Sequence, residues 1–241
     1  MTILQNFSTI TFRGMELRLF GNGSMYLPRH ETLVVSDLHL EKGAAQSFAM
    51  PLPVYDTDET LTRLEMACND LSVKTCLFLG DSFHNVHTAF RLPKRTQLRL
   101  SALAERCSFV WVEGNHDPSI PAFLPGKSCA AFAIDEVVFS HEMTTHNTSE
   151  LDNSQRFSGH VFGHYHPKAK VRLPAKIVTG RCFIHDEHAL IMPAFGAFTG
   201  GLNIFDPAIQ SLLSKPQTVH FCHNGQIYTY PVSTKHFIAG S

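Results

Sequence analysis

Short apolar runs rich in valine, isoleucine and phenylalanine alternate with polar segments along the first two thirds of the chain. Five of these runs predict buried strands, at residues 32–36, 75–79, 109–113, 137–140 and 159–162. Two longer stretches, residues 56–71 and 93–106, have apolar residues at helical spacing and predict helices. The order strand, helix, strand, helix, strand favours an α/β domain built around a sheet.

The last sixty residues have a different pattern. They contain further short apolar runs, which predict strands at residues 181–185, 189–192, 202–205, 219–222 and 226–230. No stretch of helical length is visible among them, so we expect a second sheet. Because the pattern shows no repeat, no low-complexity tract and no linker, residues 1–241 are predicted to form a single domain.

Composition narrows the possible functions. The chain has 241 residues, of which 44% are hydrophobic and 17% charged, as expected of a folded protein. Its formal net charge of −1 excludes a strong overall basic field for nucleic acid, so any polyanion must bind through a local patch. Fifteen histidines are an excess, and imidazole is a common metal ligand, which directs attention to metal sites.

The cysteines and the N-terminal segment indicate the cellular environment. Six cysteines are scattered without a C-x-x-C pair, and most lie in apolar runs, so we expect buried, reduced thiols. The N-terminal segment lacks the charged and apolar regions of a signal peptide, and no apolar run approaches the length needed to span a membrane. These features predict a cytoplasmic protein without a membrane partner.

Side chains that can bind metals follow each of the first five predicted strands. They are Asp37 and His39 after the first strand, Asp81 after the second, Asn115, His116 and Asp117 after the third, His141 after the fourth, and His164 and His166 after the fifth. Strand ends of an open α/β sheet converge at one edge, where ligands bind. We therefore expect these side chains to form one site.

The ligand types suit divalent transition metals. Asp37 and Asp81 offer carboxylate oxygens, Asn115 offers an amide oxygen, and four histidines offer imidazole nitrogens. Mixed oxygen and nitrogen ligation fits Mn, Fe or Zn, and the sequence leaves the choice among them open. Six or seven ligands exceed what one substrate-binding metal needs, but suit two metals that share a bridging carboxylate.

The ordered series D-x-H, G-D, G-N-H-D, H and G-H-x-H across residues 37–166 resembles the calcineurin-like metallophosphoesterase superfamily. The resemblance implies a four-layer α/β/β/α sandwich, in which two mixed sheets are flanked by helices. It also implies a dinuclear metal site, with Asp81 as the bridge. In that pattern the first metal is held by Asp37, His39 and His166, and the second by Asn115, His141 and His164.

The same resemblance implies a mechanism. A hydroxide that bridges the two metals attacks phosphorus and hydrolyses a phosphodiester or, as a further substrate, a phosphomonoester. His116 is not a metal ligand in this pattern; it faces the phosphoryl oxygens or the leaving group and supplies a hydrogen bond or a proton. Asp117 is placed to orient the His116 ring. The predicted catalytic residues are thus His116, Asp117 and Asn115.

Finer sequence features resemble one bacterial subfamily, the ligase-associated DNA damage response metallophosphoesterases. Residues 34–43, 80–84, 163–169 and 193–202 carry this resemblance, although Asn85 stands where an acidic residue is expected. The resemblance implies Mn-dependent phosphodiester or end-processing hydrolysis of DNA during repair. It also implies an ATP-dependent DNA ligase, a helicase and an exonuclease as partners encoded in the same operon.

Two other functions stay open at this point. The first is a phosphoesterase of small molecules such as nucleotides or sugar-nucleotide pyrophosphates, and the second is a non-catalytic scaffold with this fold. The short intervals between the motifs leave little room for a large cap over a small-molecule pocket, which disfavours the first alternative. Every motif ligand is present, which disfavours a non-catalytic scaffold.

Local charge gives further hints about a DNA substrate. Two basic clusters could position a DNA backbone or could equally be solvated surface, namely Lys168, Lys170, Arg172, Lys176 and Arg181, and Arg91, Lys94, Arg95 and Arg99. His160 is expected to lie on a strand near the last motif, where it either supports a metal ligand or has a structural role, and the choice stays open. His84 lies just past Asp81, and its role stays open.

Overall fold

The computed structural model describes residues 6–41, 55–143, 157–172, 176–197, 199–233 and 235–239. Lys42, Gly43 and Phe198 belong to the segments that carry the subfamily resemblance, and they lie outside the described residues. No helix in the described ranges is long and apolar enough to cross a membrane.

The first sheet has seven strands in chain order. They are β1 (Phe7–Phe12), β2 (Met15–Phe20), β3 (Met25–Leu27), β4 (Thr32–Val35), β5 (Thr75–Leu79), β6 (Ser108–Val112) and β7 (Lys127–Cys129). Strands β1 to β4 pair antiparallel, whereas β4 to β7 pair parallel. The central parallel strands β4, β5 and β6 are mostly apolar on both faces because each face is covered, as the burial of all four residues of β4 shows.

Helices cover one face of this sheet. They are α1 (Tyr55–Asp70), α2 (Val86–Phe90) and α3 (Lys94–Ala104), and a 3₁₀ turn lies at Pro28–His30. Leu64 of α1 and Leu100 of α3 are fully buried against Phe78 and Trp111 of the sheet. Arg99 of α3 makes a two-point ion pair with Glu65 of α1, with nitrogen–oxygen distances of 2.7 and 2.8 Å, which fixes the two helices side by side.

The second sheet has eight strands. They are β8 (Ala131–Ile134), β9 (Val137–Ser140), β10 (Gly159–Phe162), β11 (Lys168–Arg172), β12 (Ile177–His185), β13 (Ala189–Ile191), β14 (Thr218–His223) and β15 (Gln226–Pro231). Their order is β15-β14-β12-β13-β10-β9-β8, and β11 pairs with β12. In its centre β9, β10 and β13 run parallel, so their carboxyl ends share one edge.

The facing surfaces of the two sheets form the central core. Leu19 and Leu77 of the first sheet pack with Phe139 and Phe183 of the second, and all four are fully buried. The outer face of the second sheet is covered by β11 and by the segment that contains α4 (Pro207–Gln210). The two mixed sheets confirm the predicted α/β sandwich, although the described part of this outer layer contains only a four-residue helix.

Several predicted elements agree closely with the structure. Strands β5, β9 and β10 have the predicted bounds, and β4, β6, β13, β14, β15, α1 and α3 differ by one or two residues at either end. The strand predicted at residues 202–205 is wrong, because Asn203 makes only an isolated bridge to Lys168 and its side chain closes a turn onto the backbone of Phe205. The sequence pattern does not predict strands β1, β2, β3, β7, β8 and β11.

Candidate metal centre

The predicted motif residues follow the carboxyl ends of parallel strands in both sheets. In the first sheet β4, β5 and β6 end just before Asp37, Asp81 and Asn115, and in the second sheet β9 and β10 end before His141 and His164. The carboxyl ends of these strands from the two sheets lie close together. Contacts such as the 3.8 Å between His141 Nδ1 and Asp37 Oδ1 join the motifs across the two sheets.

One group of side chains consists of Asp37, His39 and His166, whose ligand atoms lie within 4.8 Å of one another. Nε2 of His166 lies 3.0 Å from Oδ1 of Asp37 and 3.4 Å from Nε2 of His39. Oδ1 of Asp37 is buried and has no partner with hydrogen-bond geometry in the described part of the chain. A buried carboxylate oxygen that faces two imidazoles in this way suits a cation.

The second group consists of Asp81, His141 and His164, and Asn115 joins it. Nε2 of His141 lies 2.8 Å from Oδ1 of Asn115, 3.2 Å from Nδ1 of His164 and 3.4 Å from Oδ2 of Asp81. The other ring nitrogen of His141 lies 3.0 Å from the carbonyl oxygen of Leu79. A proton on that nitrogen leaves Nε2 free as a metal ligand, which is the usual arrangement of a ligating histidine.

Asp81 lies between the two groups. Its Oδ2 is 3.4 Å from His141 in the second group and 4.0 Å from Nε2 of His39 in the first. Its Oδ1 accepts a hydrogen bond from the backbone N–H of His116 at 2.9 Å, which fixes the direction of the carboxylate. All seven residues expected as ligands are therefore brought together, and their mixed oxygen and nitrogen atoms fit two divalent cations with Asp81 between them.

The backbone of the ligands adopts an uncommon conformation. Asp37, His39, Asp81, His164 and His166 all have positive φ, between 45° and 65°. Asp and His adopt this left-handed region more often than most residues, yet each such residue is less stable than in its ordinary conformation. Concentration of this strain at one place is typical of a functional site.

Two motif glycines allow the backbone to approach the ligands. A Cβ atom on Gly114 would lie 2.2 Å from the backbone nitrogen of Asp81, and one on Gly163 would lie 1.8 Å from Oγ of Ser36. Any side chain at either position would displace Asp81 or Asp37. These glycines are therefore needed to bring the strand ends together.

Asp117 holds the backbone of the site. It is fully buried, and its Oδ1 accepts hydrogen bonds from the N–H groups of Asp81 at 2.9 Å and Gly114 at 3.1 Å. Its Oδ2 accepts from the N–H of Phe83 at 3.1 Å. These contacts differ from the predicted one with the His116 ring. Through these contacts Asp117 positions the loop that carries Asp81.

The exposure of the side chains shows from which side a substrate can approach. The side chains of Asp37, His141 and Asp81 are at most 5% exposed, whereas those of His164 and His116 are 29% and 49% exposed. Nε2 of His116 lies 3.9 Å from Oδ2 of Asp81. His116 thus stands at the solvent side of the centre, within reach of a group bound there. The His84 ring lies parallel to the His116 ring, with 6.4 Å between centroids.

Charges within the centre shift the pKa of its groups strongly. Burial alone would lower the pKa of His141, but Asp81 and Asp37 outweigh burial and raise it to about 9. Burial would raise the pKa of Asp81, but His141 outweighs burial and lowers it to about 2. Burial raises the pKa of Asp117 to about 7. In such a centre, ionised carboxylates lie beside imidazoles that carry protons. A metal cation can replace those protons when it binds.

Two residues support the ligands without being predicted from the sequence. Oε1 of Glu142 lies 3.0 Å from Nε2 of His164, and Glu142 directly follows His141, the one sequence signal that could have identified it. Oγ of Ser36 donates to Oδ2 of Asp37. His160 lies on β10 as expected, 2.6 Å from Oγ of Ser140, and burial lowers its pKa to about 4, which favours the neutral imidazole.

Two clefts of about 230 Å³ each flank the centre. The one beside the first group is lined by His166, Lys168 and Arg181, and the one beside the second group by Asn115, Glu113 and Glu142. The first cleft is thus basic and the second acidic. A polyanion would bind more favourably along the first.

The two predicted basic clusters differ in the structure. On β11, Lys168, Lys170 and Arg172 alternate with the buried Ala169 and Val171, so the three cations share the outward face of the strand. Lys168 Nζ donates a hydrogen bond to the backbone oxygen of Thr199, and Arg181 donates to those of Ala194 and Phe195. In the second cluster, Arg95 and Arg99 pair with Asp58. The β11 cations form a stripe that starts beside His166.

Comparisons with known proteins give the following results. The profile of the calcineurin-like phosphoesterase family matches residues 30–234. No curated protein matches the chain. Among solved structures, the chain is similar to the nuclease MPE of Pseudomonas putida, with 25% sequence identity and a TM-score of 0.70. The match covers 93% of this chain and 100% of the nuclease chain.

Proposed function

The chain belongs to the calcineurin-like phosphoesterase family and is a metal-dependent phosphoesterase, and from this premise we propose that it hydrolyses phosphodiester bonds of DNA with two divalent cations. The observation that carries the proposal is the pair of ligand groups joined by Asp81, open to solvent on the His116 side. The solved structure to which it is similar is that of a nuclease. Mn is the proposed metal, and DNA repair the proposed setting, with the ligase, helicase and exonuclease as proposed partners.

The ligands divide between two cation positions that Asp81 connects. Asp37, His39 and His166 would hold one cation, and Asn115, His141 and His164 the other. Such cations, when bound, lower the pKa of a water molecule and neutralise charge on the phosphoryl oxygens. The chain fixes their positions through the hydrogen bonds that Asp117 accepts from the backbone of Asp81 and Gly114.

His116 supplies the remaining chemistry. Its ring is half exposed and lies at the mouth of the centre, where the phosphoryl group of a substrate would sit. A neutral or protonated imidazole there can donate a hydrogen bond to a phosphoryl oxygen or a proton to the leaving oxygen. Asp81 holds the backbone of His116 through the 2.9 Å hydrogen bond, so the metal bridge and the donor are positioned together.

The stripe of cations on β11 favours DNA over small esters. Alternate residues of a strand lie about 6.6 Å apart, so the stripe extends about 13 Å from Lys168 to Arg172. That length offers contacts to several phosphates of one strand, and a mononucleotide would reach only the end nearest His166. Backbone contacts of this kind position a nucleic acid without reading its sequence.

The first experiment measures hydrolysis by metal-stripped protein to which Mn²⁺ is returned. The substrates are bis-p-nitrophenyl phosphate, p-nitrophenyl phosphate and a gapped DNA duplex, and His116→Ala is the control. We expect Mn-dependent hydrolysis of the diester and of DNA by the wild type, and loss of both in the variant. Hydrolysis of small esters with DNA untouched would indicate a small-molecule enzyme, and no hydrolysis with metals bound would indicate a scaffold.

A second experiment separates DNA binding from chemistry. The double variant Lys170→Glu, Arg172→Glu should cleave DNA poorly but hydrolyse bis-p-nitrophenyl phosphate like the wild type. The salt dependence of DNA binding should also fall, by roughly 0.9 log units per log unit of salt for each phosphate that the variant no longer neutralises. Lys127→Glu is the control for charge reversal, because Lys127 begins β7 of the first sheet and lies at the end of that strand away from the metal ligands. Equal DNA cleavage by all three proteins would exclude the stripe as the DNA-binding surface.

A further inference from the structure

Three cysteines meet in the layer between the helices and the first sheet. Cys68 lies in the last turn of α1, Cys76 is the second residue of β5, and Cys107 lies in the turn that leads into β6. The Sγ atoms of Cys68 and Cys76 are 3.5 Å apart, and those of Cys76 and Cys107 are 3.6 Å apart. All three lie within 4.8 Å of one another, so they form a compact triangle.

This triangle is distinct from the phosphoesterase centre. Its residues belong to the apolar cluster under α1 and α3, with Cys76 fully buried and Cys68 and Cys107 nearly so. It contains sulfur alone, and no His, Asp or Glu of the described ranges joins the group. Thiolate sulfur selects soft cations, whereas the oxygen and nitrogen atoms around Asp81 select harder ones.

The distances favour a shared cation over a disulfide. Three sulfurs around a central cation, at bonds of about 2.3 Å, lie about 4.0 Å apart, which needs an expansion of a few tenths of an ångström. A disulfide between Cys76 and Cys107 has a bond of about 2.05 Å, which needs a closure of about 1.5 Å within a packed core. Cation binding therefore requires a smaller movement of the sulfur atoms than disulfide formation does.

Cation binding would replace the thiol protons, including the one that Cys107 donates to the backbone oxygen of Leu103, where sulfur and oxygen are 3.5 Å apart.

A cavity adjoins the triangle. Cys107 lines this cavity of about 590 Å³, together with Ala104 of α3 and Phe109 of β6. The cavity also contacts Gly126 and Lys127, which lie on the surface. It therefore extends from the surface to one residue of the triangle.

From these observations we propose that Cys68, Cys76 and Cys107 form a trigonal thiolate site for one soft, closed-shell cation of the Cu(I) class. The cation keeps its oxidation state on binding, so no oxidant or reductant is needed. Zn²⁺ in structural sites takes four ligands in a tetrahedron, and a three-sulfur set without a fourth side-chain ligand in the described ranges suits Cu(I) better.

The test titrates the reduced, metal-stripped, full-length protein with Cu(I) under anaerobic conditions, in competition with bicinchoninate. We expect one equivalent of Cu(I) to be retained, with an ultraviolet sulfur-to-copper charge-transfer band. Cys76→Ala and Cys107→Ala should each lose the retained equivalent and the band. Cys129→Ala is the matched control and should keep both, because Cys129 ends β7 and is not in the triangle.

The outcomes are distinguishable from failure of the phosphoesterase proposal. The charge-transfer band requires sulfur ligands, so Cu(I) bound at the Asp81 centre does not produce it. Mn-dependent hydrolysis of bis-p-nitrophenyl phosphate, measured for Cys76→Ala and for Cys107→Ala, shows whether each variant is folded. Removal of all Cu(I) by bicinchoninate, equal retention in Cys76→Ala, or a Cys76–Cys107 disulfide formed in place of Cu(I) binding would each overturn the proposal.

Discussion

Replacement of Asp117 tests whether this carboxylate supports the backbone or the ring of His116. Asp117→Ala removes the acceptor of three buried N–H groups, those of Asp81, Phe83 and Gly114. Each buried donor left without a partner destabilises the fold by about 1–3 kcal/mol, so the total is about 3–9 kcal/mol. Because a typical domain is stable by about 5–15 kcal/mol, a substantial share of the stability would be lost.

Asp117→Asn gives a graded comparison. Asn keeps one oxygen in the place of Oδ1, which can still accept from Asp81 and Gly114, but it turns an NH₂ group toward the N–H of Phe83. One donor is then unsatisfied, so the expected loss of unfolding free energy is about 1–3 kcal/mol. The Asp81 loop should stay in place, and the protein should still bind metal.

The assay combines urea unfolding with the metal content of each protein after dialysis against Mn²⁺. We expect the order wild type, Asp117→Asn, Asp117→Ala in both stability and bound metal, with His116→Ala equal to the wild type in both. An Asp117→Ala protein with wild-type stability and full metal content would refute the reasoning. If that protein also lost turnover, Asp117 would act through the His116 ring, as the sequence predicts.

Three further changes test the rest of the centre and the fold. Asp81→Asn should abolish activity and weaken metal binding at both positions, and two tightly bound metals in that variant would mean that Asp81 is not the bridge. His116→Ala should keep its metals but lose about 10²–10³-fold in turnover, as removal of one transition-state donor does, and loss of metal instead would make His116 a ligand. Burial lowers the pKa of His220 to about 3. Between pH 6.5 and 3 this histidine therefore binds a proton in the unfolded chain but not in the folded chain, so His220 alone should contribute a fall in unfolding free energy of roughly 1.4 kcal/mol per pH unit as the pH drops through this window. Urea unfolding of His220→Gln should show a shallower pH dependence, and an equal slope would contradict this assignment.

The sequence predicts the centre well because the ligands are local features of strand ends. Each ligand follows an apolar run whose length and composition identify a buried strand, as with Thr75–Leu79 before Asp81. Parallel strands bring their carboxyl ends to one edge, so the sequence order of the motifs also indicates that they meet. The same rule identifies His141, which stands in no multi-residue motif.

Elements with weaker patterns escape prediction. Strands β7 and β11 are exposed at alternate or successive positions and carry lysines, so their sequences resemble surface loops. The contacts of Asp117 are also out of reach, because they join its carboxylate to backbone N–H groups of Asp81 and Phe83 that lie 36 and 34 residues away. Backbone donors carry no signature in the sequence. The sequence also does not show that Cys68, Cys76 and Cys107 meet, because they lie on or beside three different elements.

Five metal ligands have a left-handed backbone conformation, which lowers the stability of the fold at the residues that metal binding requires. They are Asp37, His39, Asp81, His164 and His166. Each of these residues is less stable by about 1–2 kcal/mol than one in the right-handed region, and glycine would relieve that strain. At Asp37 and Asp81, however, glycine would also leave buried donors such as the N–H groups of His164 and His116 without an acceptor, which offsets the relief of strain. The side chains that bind the metals therefore also hold the strained backbone in place when no metal is bound.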